Sequence, residues 1–272
     1  MSSPNPPLIL CCSGLDPTGG AGIQADIEAI GALGGHALPV ITALTVQDCS
    51  NVHGLVATDA KLIEQQINTL AAQLPIAAIK LGLLGSVEQV TVISAFARRA
   101  ALPLVLDPVL KAGGGAALSN AALRAATREQ LLPLTQLATP NLDEARQLLE
   151  LPDQTDAPTC AQRWKEAGCR QVLVTGGDQA SADVANFYLP PTTPLASTAD
   201  TESAGQWYRW PRLPGQFHGS GCTLASAIAV LLARGVDAPK AVFRAQAWTH
   251  QALQNAFQPS AGQALPRRWP PA

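Results

Sequence analysis

Charge is scarce in this sequence. Of 272 residues only 14% are charged, against roughly 25% in an average soluble domain. The 18 basic residues face 20 acidic ones, for a formal net charge of −2. Without a basic excess there is no electrostatic footprint for nucleic acid and no polybasic membrane anchor. Long apolar runs are missing too: the longest, Leu224–Ala233, is about half the roughly 20 residues that cross a bilayer. The start, MSSPNPPLILCC, has no basic residue ahead of its short apolar run and so lacks the layout of a secretory signal. The cysteines (Cys11, Cys12, Cys49, Cys160, Cys169, Cys222) form no CxxC pair, and four scattered histidines add no metal spacing. Reduced thiols in a cytoplasmic protein are the expectation, without structural zinc. No G-x-G-x-x-G and no G-x-x-x-x-G-K-[ST] occurs, which argues against a nicotinamide oxidoreductase and excludes a P-loop.

What is present is ample core material, 47% hydrophobic, in an alternating pattern. Short apolar runs at Leu8–Ser13, Leu38–Leu44, Ala77–Leu81, Pro103–Leu110, Leu134–Thr139 and Gln171–Thr175 read as strands. Between them, apolar residues recur at helical spacing, as in Ile23, Ile27 and Ile30, then Ile63, Ile67, Leu70 and Leu74. Helices are expected over Val87–Ala100, Asn120–Leu131, Leu142–Leu149, Ala161–Ala167, Gly221–Ala233 and Pro239–Ala256. Strands buried on both faces alternating with helices predict an α/β fold with a mostly parallel sheet. Val184–Leu189 and Gln206–Trp210 flank the Pro/Thr/Ser-rich stretch Pro190–Gly205 and predict an antiparallel edge with a mobile loop. One domain over 1–272 is expected, with irregular tails at 1–7 and 258–272, the latter docked by Trp269.

An open α/β sheet places its ligand beyond the carboxyl ends of its strands. The turns there are chemically loaded. Ser13–Gly22 (SGLDPTGGAG) allows close backbone approach at a helix start. Phe217–Thr223 (FHGSGCT) precedes a second helix, so the N–H groups of Gly219–Cys222 form an anion hole at a positive dipole end, and Cys222 there is expected to have a lowered pKa and to alkylate fastest. Asn141-Leu-Asp-Glu144 reads as an N-cap with a capping box, while the same two polar groups could face hydrated Mg²⁺. Asp107-Pro-Val-Leu-Lys111 with its following glycines suits phosphate handling or a plain surface loop. Lys80–Gly85 and Thr175–Asp178 are glycine turns after strands. Gln47 can present paired donor and acceptor groups to a flat heterocycle.

Together, in order over about Leu8 to Ala256, the segments SGLDPTGGAGIQADIEA, ITALTVQ, KLGLLGS, DPVL, TPNLDEA, VLVTGGD and HGSGCTLASAIA resemble the ribokinase-like superfamily. Within it they resemble the hydroxymethylpyrimidine/phosphomethylpyrimidine kinases of thiamine biosynthesis. Cys222 is the most telling position, because most superfamily members carry Asp there. The resemblance implies a three-layer α/β/α sandwich and a homodimer. It implies ATP- and Mg²⁺-dependent phosphorylation of 4-amino-5-hydroxymethyl-2-methylpyrimidine and then of its monophosphate. By position, Gln47 would bind the ring edge, Gly14 and Asp16 would lie near the hydroxymethyl group, Val109 would offer backbone contacts and Leu83 would pack on the ring. Asn141 and Glu144 would organise Mg²⁺. Gly219, Ser220 and Gly221 would form the anion hole, with Cys222 as base. Three positions depart from the family: Leu83 is often Met, Asp48 is frequently Asn, and Thr175 stands where several members have Lys before Gly176-Gly177. Lys111 is the alternative source of positive charge for the nucleotide. Two other functions stay open at this point: a pyridoxal-type kinase, and a non-catalytic vitamin-precursor binder.

Overall fold

Leu8–Leu15 (β1) reads LILCCSGL and buries side chains on both faces. Leu10 and Cys12 enter one core, Ile9 and Cys11 the other. The same alternation recurs in Ile76–Leu81 (β4) and Leu104–Leu106 (β5): Ile79, Leu81, Leu104 and Leu106 face one way, Ala78 and Val105 the other. A period-2 pattern that is apolar on both faces needs a cover on each side. In the computed structural model, which describes residues 5–111, 115, 117–191 and 205–269, both covers are helical.

One layer holds Gly22–Ala32 (α1), Ser220–Ala233 (α7) and Ala238–Gln254 (α8). The other holds Ala60–Gln73 (α2), Val87–Ala100 (α3), Ala121–Ala126 (α4), Leu142–Leu148 (α5) and Ala157–Glu166 (α6). The sheet is completed by His36–Gln47 (β2), Val52–Ala57 (β3), Leu137–Ala138 (β6), Val172–Val174 (β7), Asp183–Leu189 (β8) and Gln206–Pro211 (β9). Its order is β3-β2-β1-β4-β5-β6-β7-β8-β9. Strands β2-β1-β4-β5-β6-β7 are parallel, and antiparallel pairs close both edges. The chain winds first one way from β1 to β2 and then the other way to β4, so a switch point lies beside the carboxyl end of β1.

The three-layer sandwich is the expected one, with local differences. Strand β5 is three residues long rather than running to Leu110, because Pro108 has no N–H and Val109 N–H turns back to Asp107 O at 2.9 Å. Strand β6 does not begin at Leu134: Leu132–Leu134 is a tight 3₁₀ turn around Pro133, and Thr135 Oγ1 donates to Leu131 O at 2.8 Å. The helix expected over Asn120–Leu131 starts at its Asn120 cap but loosens into a π turn at Thr127–Leu131. Helix α6 starts four residues early, on Asp156 as N-cap. Strand β3 was not foreseen; it forms a hairpin with β2. Most of the loop predicted over Pro190–Gly205, and Gly113 and Gly114 after Lys111, lie outside the described residues.

Candidate active site

A cleft of about 1200 Å³ opens at the carboxyl ends of the parallel strands and is lined by residues of all six loaded turns. Its floor is two helix starts. Gly22, the first residue of α1, has φ +57°, and a Cβ there would sit 2.2 Å from Gly14 O. Gly219, the N-cap of α7, has φ +74°, and a Cβ there would sit 2.0 Å from Gly20 O. Only glycine lets these turns abut. The Asp16 carboxylate shapes the first turn by accepting from Thr18 N at 2.9 Å, Thr18 Oγ1 at 2.8 Å and Ala21 N at 2.8 Å. No side chain caps α1 or α7. Helices α2 to α6 all have side-chain caps. The uncapped pair bordering the cleft therefore presents N–H groups and positive dipole ends to whatever enters it.

The polar wall follows. Gln47 ends β2, and its Nε2 lies 2.7 Å from His218 Nε2, which lies 2.8 Å from Asp16 Oδ2. A carboxylate only accepts, so His218 Nε2 carries its hydrogen toward Asp16. The amide oxygen of Gln47 is then the end that suits His218. Burial pushes the Asp16 carboxyl up, and the bonds from His218 and Thr18 more than offset this, holding it below its ordinary value. Leu83 is buried against Gly14, where a Cβ would come within 2.9 Å of Leu83 Cδ2. Val109 also lines the cleft, but its N–H is engaged by Asp107 O, which leaves its carbonyl for a ligand. Asp48 serves its own turn rather than the cleft. Its carboxylate accepts from Ser50 N at 2.7 Å and Asn51 N at 2.9 Å and meets His53 at 2.8 Å, and these partners hold it at about 2.

Deeper in lie Cys222 and Asp107, in contact with each other. The lowered thiol pKa expected at a helix start is reversed. Although part of the residue reaches the cleft, burial of the thiol pushes it up, Asp107 and Asp26 add to the rise, and Lys80 and the Gly22 N–H only partly oppose it. Burial first, and the nearby carboxylates after it, outweigh the dipole. Cys222 therefore rests as a thiol, while Cys11 and Cys12 are buried and also pushed up.

The capping box at α5 is present: Glu144 N donates to Asn141 Oδ1 at 2.8 Å, and Asn141 N donates to Glu144 Oε2 at 3.0 Å. Burial, with Asp107 and Asp178 adding to it, pushes Glu144 up to about 8. Among the described residues no three His, Cys, Asp or Glu side chains converge as direct metal ligands. Asp107 Oδ2 is nevertheless buried without a hydrogen-bond partner, and a second carboxyl faces it from Glu144. That donor set fits a cation held partly through water, as Mg²⁺ prefers.

Toward the far end, Thr175 N donates to Pro140 O at 2.8 Å and Thr175 pairs with Asn141, while Lys111 is exposed at the rim. Gly177 O accepts from Arg212 Nη1 at 2.9 Å, and Arg212 Nε donates to Ser181 O at 2.6 Å. Arg212 was not anticipated; it stands at the end of an edge strand, outside any motif. His218 lay inside the FHGSGCT segment, and its pairing with Asp16 across 202 positions had no local signal.

Over most of its length the chain is similar to known proteins. A family model described as phosphomethylpyrimidine kinase matches residues 16–266. A hydroxymethylpyrimidine/phosphomethylpyrimidine kinase of Streptomyces coelicolor is 36% identical over 256 residues, 93% of this chain and 90% of that one. Among solved structures, a phosphomethylpyrimidine kinase from Clostridium difficile superposes with TM-score 0.76 at 26% identity, covering 91% of this chain and 99% of the other. Pyridoxal kinase from Staphylococcus aureus in complex with pyridoxal gives 0.84 at 25% identity, covering 96% and 93%. By the extent of the family match and the identity to its curated relatives, the chain belongs to the phosphomethylpyrimidine kinase family.

Proposed function

We propose that this protein transfers the γ-phosphoryl group of ATP to 4-amino-5-hydroxymethyl-2-methylpyrimidine and then to its monophosphate, giving the diphosphate used in thiamine biosynthesis. The observation that carries the reading is the pair of uncapped helix starts, α1 and α7, meeting beside Cys222 and Asp107 and opposite the Gln47–His218–Asp16 wall. Phosphoryl transfer asks for positioning and charge stabilisation more than for covalent catalysis. In this reading Gln47 meets the ring edge, Leu83 its face, and the backbone at Gly14 and Val109 its rim. Asp16 orients His218 near the hydroxymethyl group. The N–H groups of Gly219, Ser220 and Gly221 receive the transferring phosphoryl oxygens. Lys111, Thr175 and Gly177 flank the remaining phosphates. Asn141 and Glu144 would hold Mg²⁺, with Asp107 near; the ion would neutralise phosphate charge. Cys222 and Asp107 handle the proton of the attacking alcohol.

Two coarser features belong to the same reading. Leu44, Val46 and Val56 leave apolar side chains exposed on the β2–β3 hairpin, and we place the homodimer contact there, to be checked by light scattering of Val46→Glu. All six cysteines are free, which suits the reducing cytoplasm. The superposition on pyridoxal kinase favours a second substrate, since pyridoxal also carries a hydroxymethyl group on a flat nitrogen ring. ADP release with the pyrimidine, its monophosphate and pyridoxal tests both. The highest kcat/KM is expected with the pyrimidine pair; a preference for pyridoxal would reverse the assignment, and binding without turnover would make the protein a sensor.

A further inference from the structure

A side-chain amide is nearly symmetric in shape, and turning it over exchanges a donor for an acceptor. A lone glutamine on the wall of a cleft can therefore read either of two opposite heterocycle edges. Gln47 is not alone. One terminal atom of its amide lies 2.7 Å from His218 Nε2, and the other lies 3.2 Å from Thr45 Oγ1. What these two neighbours offer decides which way round the amide lies.

At the first end, His218 Nε2 also lies 2.8 Å from Asp16 Oδ2. The Asp16 carboxylate accepts from Thr18 and Ala21 as well, so it has no hydrogen to give the ring. Nε2 therefore carries the hydrogen, whether the ring is neutral or charged, and the amide atom facing it is the oxygen. The ring is held there: it is buried, a Cβ on Gly20 would come within 2.5 Å of its Cδ2, and His218 N donates to Ala264 O at 2.9 Å. At the second end, Thr45 Oγ1 gives its single hydrogen to Leu15 O at 2.8 Å. Its lone pairs are left to face the amide, which suits the nitrogen. Two ends that share no partner thus ask for one orientation, oxygen toward His218 and NH₂ toward Thr45. One N–H and one lone pair remain for the cleft, which all three residues line.

We propose that Thr45, and Asp16 acting through His218, are positioning residues that fix the Gln47 amide one way round. This polarity selects a 4-aminopyrimidine edge and points its hydroxymethyl group at the start of α7. The inference rests on the kinase reading above. The aminopyrimidine edge has an acceptor, ring N3, beside a donor, the 4-amino group. Opposite the fixed amide, N3 meets the N–H on the Thr45 side and the amino group meets the oxygen on the His218 side. The hydroxymethyl group, on C5, comes next around the ring after the amino group. It therefore lies on the His218 side, and the residue after His218 is Gly219, the N-cap of α7. With the amide reversed, the same pairing would turn the ring over and carry the hydroxymethyl group to the Thr45 side. The 4-oxo analogue has the opposite edge, a donor at N3 and an acceptor at O4. It pairs with the fixed amide only in that turned-over pose. Pyridoxal has no donor beside its ring nitrogen, so the polarity of the amide makes little difference to it.

The test measures binding of the aminopyrimidine and of its 4-oxo analogue to the full-length protein by calorimetry, without ATP. Wild type should bind the amino compound tighter by roughly 10–100-fold, as one or two mispaired polar groups imply. His218→Phe keeps a flat ring and removes the donor. Thr45→Val keeps the shape and removes the acceptor at the other end, and it serves alone if His218→Phe does not fold. In the folded variants the ratio should fall to about threefold or less, while pyridoxal affinity changes far less. His218→Gln, whose amide N–H reaches about as far as Nε2, should restore most of the ratio, which a merely structural role for His218 would not. The ring nitrogen resonances of His218 should show Nε2 protonated. A ratio that stays at its wild-type value in the folded variants, or an Nε2 without a hydrogen, would overturn the inference. So would wild type that binds the two compounds equally, and wild type that binds neither would refute the pyrimidine reading with it. ADP release is scored separately. A ratio that responds to His218 in a protein releasing no ADP upholds the inference and refutes the kinase reading; ADP release with an unresponsive ratio does the reverse.

Discussion

Gln47 and Glu144 are the two residues whose placement was most legible in the sequence and whose surroundings were not. The position of Gln47 at a strand end was readable; that His218 and Asp16 would fix its amide depends on a contact between chain segments 171 residues apart. Gln47→Leu leaves the ring edge unpaired and removes one neighbour of His218, which keeps Asp16, at about 1–3 kcal/mol. Pyrimidine KM should therefore rise by roughly 5–150-fold with ATP KM little changed, and an unaltered pyrimidine KM would take Gln47 out of the site. For Glu144 the capping box followed from spacing alone, whereas its carboxyl neighbours Asp107 and Asp178 come from other loops. Its pKa is raised, so the stabilising form is the protonated one. That contribution is full below the ordinary value near 4.5 and is lost as pH rises through about 8. Glu144→Gln keeps the box and removes the titration. Without Mg²⁺, its stability relative to wild type should improve between pH 5 and pH 8 by on the order of 2–3 kcal/mol, allowing for partial water access. Mg²⁺ should close the gap by favouring wild type, and the Mg²⁺ needed for half-maximal rate should rise in the variant. Parallel melting curves across pH, with no Mg²⁺ effect, would leave Glu144 as a cap only.

Among the elements, the long periodic ones match expectation because burial on two faces writes itself into composition: Val87–Ala100 is the expected helix with the expected limits. The short elements miss for local reasons. Strand β3 carries His53 and Gly54 between its valines and is half open to solvent, so no apolar run marks it. Strand β6 pairs over two residues, and its limits are set by what β5 and β7 offer on either side. The start of α7 shows how an element becomes a site. Gly219 was readable as a flexible residue, but its need for φ +74° and its contact with Gly20 O arise only when two distant turns meet. Gly219→Ala combines left-handed strain of roughly 1–3 kcal/mol with a contact that forces the turns apart. Gly235 supplies the control, since it has φ +75° and nothing within 4 Å of a Cβ. Gly235→Ala should lower Tm and spare kcat/KM; Gly219→Ala should lower Tm and also weaken ADP binding at least tenfold. Equal ADP affinity in the two variants would mean that the α7 start does not hold phosphate.

At the scale of the whole molecule, the two glycine turns that border the cleft belong to opposite ends of the chain and are locked together by a residue near neither in sequence. Arg268 is buried, and its guanidinium spreads over four partners. Nε donates to Thr223 Oγ1 at 2.8 Å, Nη1 to Glu28 Oε2 at 3.0 Å and to Gly19 O at 3.5 Å, and Nη2 to Gly20 O. Thr223 Oγ1 in turn donates to Gly219 O at 2.7 Å. One planar fork thus ties the turn entering α1, the body of α1 and the first turn of α7 into a single unit, which Lys could not do from a point charge. Trp269, the sequence's candidate for docking this segment, is half-exposed and would lie 3.4 Å from a Cβ at Gly31, so it adds apolar contact at the surface. Nothing in the sequence PRRWPPA distinguishes Arg268 from Arg267, because the difference is made entirely by partners 45 to 249 positions away. Arg268→Met keeps the length and apolar stem but leaves Glu28 Oε2 and two backbone carbonyls without the donors it supplied, Glu28 Oε1 keeping only Gln24 Nε2. Breaking a buried charge pair from one side costs about 3–5 kcal/mol, so Tm should fall on the order of 10 °C. Arg268→Lys should recover little of it. Because the fork sets the distance between the α1 and α7 starts, the surviving folded protein should also bind ATP more weakly, with pyrimidine KM changed less. Arg267→Met, on the exposed neighbour, should do neither. A drop in Tm with unaltered ATP KM would make Arg268 a brace for the fold, and the spacing of the two helix starts would then have to be set by Gly20 and Gly219 alone.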